Sequence, residues 1–443
     1  MTLRLLLVRH GLSSFNKDLR IQGRNDLSTL TIEGKQQAIE AGIALANLPI
    51  HSVYSSPLQR AVETTKNIIS EHKTKLNPIY AEGLLEIDLE EWSGLTKNEV
   101  KERFPEQYLT WQKDPKELVL KRKNEKEYKP LKELMGQAKT FLDDLLRFHG
   151  TKENKTILVV GHNAILRCLL LKLLGDPAKG FRRVQLDNAS ISIININSNK
   201  TNPYDVQLEC LNSTSHLKPS LPSNKNHSRL ILVRHGETDW NLQGRFQGQI
   251  DIPLNQNGKK QAKAAGEFLK NIKINKAYSS SLSRPKETAQ IILESHPGVR
   301  LKLKEKLIEI GHGLWEGKLN SEIESDWPEM LQDWQNSPET VQMPEGESIQ
   351  EVWQRSVHCW EEISTEIEPN QTALVVAHDA VNKTILCNLL GLKPSNIWMI
   401  KQGNGGITIV DICSDPSQPD TVTCLNITSH LGGIIDNTAT GAL

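Results

Sequence analysis

The sequence has few cysteines, and those it has form no pattern. Six cysteines are scattered over 443 residues without paired spacing, so neither a disulfide framework nor a zinc site is indicated. Cys168 and Cys387 fall in apolar stretches and are expected to be small core residues. This cysteine usage favours a reducing, cytoplasmic location.

An excess of charge of either sign is also missing. The chain holds 53 Lys and Arg against 53 Asp and Glu, and this balance gives no indication of nucleic-acid binding. The sequence shows no long apolar run and no charged leader, which argues against a membrane span and a signal peptide. Its motifs bring no carboxylate cluster together, so we expect no magnesium site and no other metal or cofactor.

What the sequence does contain is a long internal repeat. A strand-ending Arg-His-Gly occurs at residues 9–11 and again at 234–236. Further matching pairs follow in the same order, among them Asn16 and Asn241, Arg60 and Arg284, Glu86 and Glu309, and His162 and His378. The repeat is far longer than a solenoid period and long enough for an independent core. We therefore expect two domains, residues 1–217 and 229–443, joined by a polar, proline-containing linker at 218–228.

Strand and helix patterns alternate along each half. In the first half they predict strands at 3–8, 52–54, 156–160 and 190–196, and helices near 32–47, 131–148 and 163–174, with another helix starting near Pro57. Ile43 is expected on the apolar face of the 32–47 helix. This alternation predicts an α/β fold of two tandem three-layer α/β/α domains, each with a mainly parallel sheet covered by helices on both faces.

The repeated Arg-His-Gly lies where such sheets bind ligands, at the carboxyl end of a strand. Gly11 and Gly236 are expected to let the backbone turn there and leave room for a substrate beside His10 and His235. These histidines and their repeated partners would then face one cleft.

The repeated side chains suit phosphoryl transfer. Each half offers two arginines, two histidines, one glutamate and one asparagine. Paired guanidinium groups match the oxygens of a phosphoryl dianion, a neutral imidazole can attack phosphorus, and a carboxyl can protonate the leaving oxygen and then activate water. Each Arg or Glu alone is better explained as a helix cap, a surface ion-pair partner or a solvated side chain, and each Asn is also a common turn residue. Recurrence of the whole set favours a site.

The motifs that carry these residues resemble the phosphoglycerate mutase-like histidine phosphatase family. They are Arg-His-Gly-x-Thr/Ser-x-x-Asn, Ser-Ser-x-Leu-x-Arg, a Glu ahead of a Gly-x-Trp-x-Gly-like stretch, and a late Gly/Ala-His, once in each half. The resemblance implies that His10 and His235 are nucleophiles and that Glu86 and Glu309 are proton donors. It further implies that phosphate is bound by the remaining residues, namely Arg9, Asn16, Arg60 and His162 in the first half and Arg234, Asn241, Arg284 and His378 in the second.

The tandem layout further resembles the two-domain branch of this family in plants and cyanobacteria, the 2-carboxy-D-arabinitol-1-phosphatases. The resemblance implies a metal-independent phosphomonoesterase that forms a phosphohistidine and needs no cofactor. Its expected partner is a small phosphoester, such as that sugar-acid phosphate or phosphoserine, with neither nucleic acid nor membrane involved and the oligomeric state left open.

Two alternatives remain at this point. The first is a cofactor-dependent phosphoglycerate mutase, although the segments between each Glu and the second His are short by the standard of such mutases. The second is a regulatory or binding protein with a degenerate first domain, because the first half lacks the Gly-Glu-Ser present at residues 346–348.

The segments expected to cover the two clefts differ in charge. Residues 97–129, the basic segment, contain ten Lys and Arg and seven Asp and Glu, whereas residues 319–354, the acidic segment, contain nine Asp and Glu and neither Lys nor Arg. Such charges most often form a solvated face, but they can also focus the field in a cleft. We therefore hypothesise that the first domain accepts the more highly charged phosphoester and the second a less anionic or amino-bearing one.

Overall fold

The computed structural model describes residues 1–150, 153–197, 205–224, 227–415 and 417–439. The chain folds as two compact units, Met1–Pro222 (unit 1) and Ser223–Leu443 (unit 2). Residues 225–226 of the predicted linker, and residues 440–443 of the predicted second domain, lie outside the described residues. Among the described helices, none is both long enough and apolar enough to span a bilayer.

Unit 1 is built on a mainly parallel sheet. Its strands are β1 (Thr2–Arg9), β2 (Ser52–Ser55), β3 (Pro78–Tyr80), β4 (Leu120–Lys121), β5 (Glu127–Tyr128), β6 (Lys155–Gly161), β7 (Ile191–Asn197) and β8 (Asp205–Ser213). The main sheet has the order β8-β7-β1-β6-β2-β3, while β4 and β5 form a separate hairpin. Strands β1, β6, β2 and β3 run parallel, and β7 pairs antiparallel with β1.

Unit 2 repeats this sheet without the hairpin. Its strands are β9 (Ser228–Arg234), β10 (Lys276–Ser279), β11 (Leu301–Leu303), β12 (Thr372–Ala377), β13 (Ile407–Ile412) and β14 (Thr421–Ile427). They are ordered β14-β13-β9-β12-β10-β11, with β9, β12, β10 and β11 parallel. All six residues of β12 are buried. Because successive side chains of a strand point to opposite faces, this burial requires helices on both faces of the sheet.

The helices that cover the sheets are also repeated. In unit 1 they are α1 (Ser14–Lys17), α2 (Ile32–Leu45), α3 (Gln59–Ser70), α4 (Lys97–Arg103), α5 (Pro105–Lys113), α6 (Pro130–His149), α7 (Asn163–Leu173) and α8 (Gly180–Arg183). In unit 2 they are α9 (Asp239–Gln243), α10 (Gln256–Leu269), α11 (Ser283–Leu293), α12 (Asn320–Asp326), α13 (Pro328–Asn336), α14 (Ile349–Glu366) and α15 (Asp379–Leu390). Helix α2 packs on α3 and α6 on α7, as α10 packs on α11 and α14 on α15.

The α/β fold predicted from the sequence is confirmed, and local details differ. Cys168 and Cys387 are buried in α7 and α15, as expected. Helix α3 begins at Gln59 rather than at Pro57, because Leu58 keeps an extended backbone and acts as the N-cap. Ile43 is 58% exposed. Its expected burial is wrong, since Gly34, Ala38, Ala41, Gly42 and Leu45 form the buried face of α2.

Candidate active site

The parallel register places the two repeated histidines of each unit side by side. Arg9 at the end of β1 pairs with Gly161 at the end of β6, so the next residues, His10 and His162, leave the same edge of the sheet. Their ring centroids are 5.1 Å apart. The matching rings of His235 and His378 are 5.2 Å apart. All four side chains are at most 2% exposed.

A hydrogen bond fixes the tautomer of the first histidine in each pair. The Nδ1 atom of His10 lies 2.8 Å from the carbonyl oxygen of Gly11, and His235 has the same contact with Gly236 at 2.7 Å. Because a carbonyl oxygen only accepts, Nδ1 must carry the proton and Nε2 the lone pair. Burial and two nearby arginines hold the pKa of His10 and of His235 well below the usual imidazole value. Both rings are therefore neutral at pH 7, with an unprotonated Nε2.

The expectation about Gly11 and Gly236 needs correction. A Cβ on Gly11 would lie 2.2 Å from the carbonyl oxygen of Gly34, and one on Gly236 would lie 2.3 Å from that of Gly258. Glycine is required at both positions because a helix packs directly against the loop that follows the histidine. This helix is α2 for the loop after His10 and α10 for the loop after His235. Thr31 accepts a hydrogen bond from the backbone of Gly34 and so starts α2 at this contact.

One arginine of each site is held at the start of a helix. Arg60 in the first turn of α3 is 1% exposed and donates to the carbonyl oxygens of Asn25 and Gly23, both at 2.9 Å. Arg284 of α11 repeats this with Ile250 at 3.0 Å and Gly248 at 2.7 Å. Burial lowers the pKa of each guanidinium to about 10. Each stays charged at neutral pH, and no carboxylate of the described residues is bonded to it, which suits an anion-binding group.

The strand-end arginines are held by backbone carbonyl oxygens of the loops before β7 and β13. Arg9 donates through Nη1 to the carbonyl oxygen of Leu186 at 2.8 Å, and Arg234 donates to that of Gln402 at 2.5 Å. In both side chains the buried Nε atom has no hydrogen-bond partner. The sequence-predicted pairing of two arginines beside one imidazole is thus present in each unit.

The second histidine of each pair is oriented by a serine. The Nε2 atom of His162 lies 2.8 Å from Oγ of Ser56, and that of His378 lies 2.9 Å from Oγ of Ser280. Nδ1 of both rings is buried without a partner. The repeated Ser-Ser-x-Leu-x-Arg motif contains these serines, but sequence reasoning used only its arginine. Their recurrence was the signal that could have revealed them.

The glutamates lie at the amino ends of the helices that follow the second histidines. Glu86 accepts backbone hydrogen bonds from Ala164 at 3.1 Å and Ile165 at 3.2 Å, in the first turn of α7. Glu309 accepts one from Asp379 at 3.0 Å, in the first turn of α15. Burial and the neighbouring Asp379 carboxylate raise the pKa of Glu309. A carboxyl with a raised pKa is suited to donate a proton.

The two asparagines lie in a hydrogen-bond network that reaches the carbonyl oxygen of the first histidine. Oδ1 of Asn16 accepts from Asn188, which also donates to the carbonyl oxygen of His10 at 3.0 Å. In unit 2, Asn404 bonds in the same way to Asn241 and to the carbonyl oxygen of His235. Asn188 and Asn404 were missed from the sequence, where they lie in an otherwise dissimilar loop.

The described residues include no group of three or more His, Cys, Asp or Glu side chains that could hold a metal ion. In each unit the side chains instead combine two arginines, two imidazoles and one carboxyl near the end of two parallel strands. This set can bind a phosphoryl group and offers it a nucleophile.

These features define the class of protein. The model of the histidine phosphatase superfamily (branch 1) matches residues 5–207 and 230–424, and the chain belongs to that family. It is a phosphatase with two tandem copies of the family domain.

Named relatives match one copy or both. The chain is 28% identical to 2-carboxy-D-arabinitol-1-phosphatase of Triticum aestivum, over 97% of this chain and 86% of that protein. It is 35% identical to phosphoserine phosphatase 1 of Hydrogenobacter thermophilus, over 46% of this chain and 94% of that protein. A third relative, 2,3-bisphosphoglycerate-dependent phosphoglycerate mutase 2 of Gloeobacter violaceus, is 33% identical over 39% of this chain and 80% of its own length.

Proposed function

We propose that each unit hydrolyses phosphomonoesters through a phosphohistidine, formed on His10 in unit 1 and on His235 in unit 2. The observation that carries this proposal is the bond from Nδ1 of each ring to the next carbonyl oxygen. It leaves the Nε2 lone pair for attack on phosphorus, in a buried ring that is neutral at pH 7. The domains are assigned as residues 1–217 and 229–443, with 218–228 as the linker.

The reaction would proceed in two steps, written here for unit 1. Arg9, Asn16, Arg60 and His162 bind the phosphoryl oxygens. Nε2 of His10 forms a bond to phosphorus while the ester P–O bond breaks, and Glu86 gives its proton to the leaving oxygen. The ionised Glu86 then takes a proton from water, whose oxygen attacks phosphorus and breaks the P–N bond. Inorganic phosphate leaves, and both side chains return to their starting states.

Unit 2 would use the same roles with its own residues. Arg234, Asn241, Arg284 and His378 bind the phosphoryl group, and Glu309 is the proton donor. The charge of the phosphoryl group is balanced by guanidinium groups in both units, so the proposed steps need no metal ion.

The proposed substrates are small phosphorylated acids. The names of the wheat and Hydrogenobacter relatives point to 2-carboxy-D-arabinitol 1-phosphate and to phosphoserine. The test measures phosphate release from both compounds by the full chain and by its His10→Ala and His235→Ala variants. Each single variant should keep the activity of the other unit, and the double variant should lose all hydrolysis. Hydrolysis that survives in the double variant would contradict the proposal.

Mutase activity is the second candidate, favoured by the 33% identity to a phosphoglycerate mutase. A mutase would interconvert 3- and 2-phosphoglycerate after priming by a bisphosphate, without net release of phosphate. A coupled assay for 2-phosphoglycerate beside a phosphate assay separates the two activities. A regulatory unit 1 would instead show no turnover in the His235→Ala protein.

A further inference from the structure

In unit 1, a carboxylate holds the loop that precedes β7. The backbone of Asp187 donates to Oδ1 of Asn212 at 2.6 Å, and the Asp187 carboxylate accepts from Nδ2 of the same Asn212 at 2.9 Å. The residue before it, Leu186, provides the carbonyl oxygen to which Arg9 donates, and the residue after it is Asn188 of the network described above. Asp187 therefore fixes the loop between two groups that hold the phosphate site.

Unit 2 has a glycine at the matching position. The backbone of Gly403 donates to Oδ1 of Asn426 at 2.8 Å, and Asn426 matches Asn212 in the repeated Cys-Leu-Asn. Nδ2 of Asn426 donates to Oδ2 of Asp436 at 3.3 Å. A Cβ built on Gly403 would lie 2.5 Å from this same oxygen. The Asp436 carboxylate therefore occupies the space that the side chain of Asp187 fills in unit 1.

The segment that carries Asp436 is tied to this loop by further bonds. Nζ of Lys401 donates to the carbonyl oxygen of Asp436 at 3.1 Å and lies 3.7 Å from its Oδ2 atom. Oδ1 of Asp436 accepts from the backbone and from Oγ1 of Thr438, at 3.0 and 2.8 Å. Oγ1 of Thr438 in turn accepts from the backbone of Asn404 at 3.1 Å. Asp436 is 6% exposed, so this contact is part of the packed structure of unit 2.

The loop at 401–404 supports the phosphate site of unit 2. The carbonyl oxygen of Gln402 accepts from Nη1 of Arg234 at 2.5 Å. The side chain of Asn404 donates to Oδ1 of Asn241 at 3.3 Å and to the carbonyl oxygen of His235 at 3.1 Å. A shift of this loop would therefore displace an arginine, an asparagine and the backbone of His235 together.

We propose that Asp436 is a positioning residue for the phosphate site of unit 2, where its carboxylate takes the role of the Asp187 carboxylate in unit 1. It acts through the loop at 401–404 rather than on the phosphoryl group. Hydrogen bonds to a charged group are stronger than those between neutral groups, so one carboxylate supplied by a distant segment can hold the loop. This inference rests on the proposed function, because the loop matters for phosphate only if Arg234 and Asn241 bind it.

The test moves the carboxylate from one position to the other. It uses the full chain with His10→Ala, so that only unit 2 turns over, and measures kcat and KM for phosphoserine together with inhibition by inorganic phosphate. Asp436→Ala should raise KM and the phosphate inhibition constant by about tenfold, the effect of losing one charged hydrogen bond. Addition of Gly403→Asp, which places a carboxylate as in unit 1, should restore both constants. Asn437→Ala is the control, because Asn437 is the exposed neighbour of Asp436, and it should change neither.

The reciprocal variant tests whether the two side chains share one space. Gly403→Asp alone places its Cβ against the Asp436 carboxylate, so it should lower the unfolding temperature. In the Asp436→Ala chain the same change should not lower it, since the space is then free. The proposal is overturned if Asp436→Ala leaves both constants unchanged, or if Gly403→Asp fails to restore them in a folded chain.

A binding measurement separates this inference from the proposed function. If the His10→Ala chain releases no phosphate, the proposed function of unit 2 fails, and calorimetry with inorganic phosphate decides. Arg60→Met is added there to disable the unit 1 site. Asp436→Ala should weaken binding about tenfold and Gly403→Asp should restore it, whereas equal affinity in all chains, or binding in none, overturns the positioning role. If Asp436→Ala does not fold, the double variant should still fold and bind, and its failure to do so also overturns the proposal.

Discussion

One residue differs in charge beside the two glutamates proposed as proton donors, Glu86 and Glu309. The residue after the second histidine is Asn163 in unit 1 and Asp379 in unit 2. The backbone of Asp379 donates to Glu309, while burial and the Asp379 carboxylate raise the pKa of that Glu309 carboxyl. The charge at this one position therefore helps set the pH range in which Glu309 holds its proton.

Replacing that residue should shift the pH dependence of unit 2. In a His10→Ala chain, Asp379→Asn removes a negative charge beside Glu309, so Glu309 should lose its proton at a lower pH. Because hydrolysis needs the protonated acid, the alkaline limb of kcat/KM for phosphoserine should move to lower pH. The acid limb should lie below the usual imidazole range, since burial and Arg284 hold the pKa of His235 well below 6.5.

The pH profile has a matched control in the same chain. Asp239 is exposed in the first turn of α9, and its replacement by Asn removes the same charge away from Glu309. Asp239→Asn should leave the alkaline limb in place. Identical profiles for the two variants would contradict the role assigned to Asp379.

At the scale of elements, the conformation of the loop that follows His10 depends on the close approach of α2. Gly34 in the first turn of α2 would place a Cβ 2.1 Å from the carbonyl oxygen of Leu12, and Gly11 would place one 2.2 Å from that of Gly34. The Leu12 amide also donates to Gln37 of α2 at 2.9 Å. Helix α2 and the loop that carries His10 therefore pack as one structure.

A methyl group at this contact should destabilise unit 1. Gly11→Ala forces backbone atoms apart, and such overpacking costs about 1–3 kcal/mol or more of unfolding free energy. Gly136→Ala is the control, because Gly136 lies inside α6 with no atom within 4 Å of the added Cβ. It should stabilise by about 0.5–1 kcal/mol through helix propensity. Calorimetric unfolding of the full chain measures both, and a neutral Gly11→Ala would contradict the packing argument.

The elements show how far the sequence could predict this molecule. The periodicity of apolar residues was sufficient to predict β1, β6, α6 and α7, because each of these elements buries a regular set of side chains. It wrongly predicted that Ile43 is buried. The close packing of α2 on α3 favours Gly and Ala on the buried face of α2 over a larger side chain. The motifs predicted the arginines and histidines. Parallel pairing of β1 with β6 brings Arg9 and His10 beside His162, and Arg60 follows β2, which also pairs with β6. Recurrence of its motif could have marked Ser56 as a site residue, but its bond to His162 depends on tertiary geometry, and no repeated motif marks Asn188.

At the scale of the whole molecule, the two units differ in the charge of the basic and acidic segments. Part of the positive charge of the basic segment is neutralised by ion pairs within unit 1. Arg122 is ion-paired to Asp88 at 2.8 Å and to Glu133 at 2.6 Å, and it lies over the ring of Tyr128. Lys123 is exposed, so its positive charge contributes to the electrostatic field outside the protein. The acidic segment has no Lys or Arg of its own.

The two units should therefore respond oppositely to salt. A positive field attracts an anionic substrate and a negative field repels it, and both effects are screened over about 8 Å at physiological ionic strength. For a phosphorylated acid, kcat/KM of the His235→Ala chain should fall as salt is raised, and kcat/KM of the His10→Ala chain should rise or stay level. Lys121→Glu combined with Lys123→Glu should flatten the fall in unit 1. If both chains lost activity with the same slope, and the lysine variant changed nothing, the two segments would not influence which anion each unit receives.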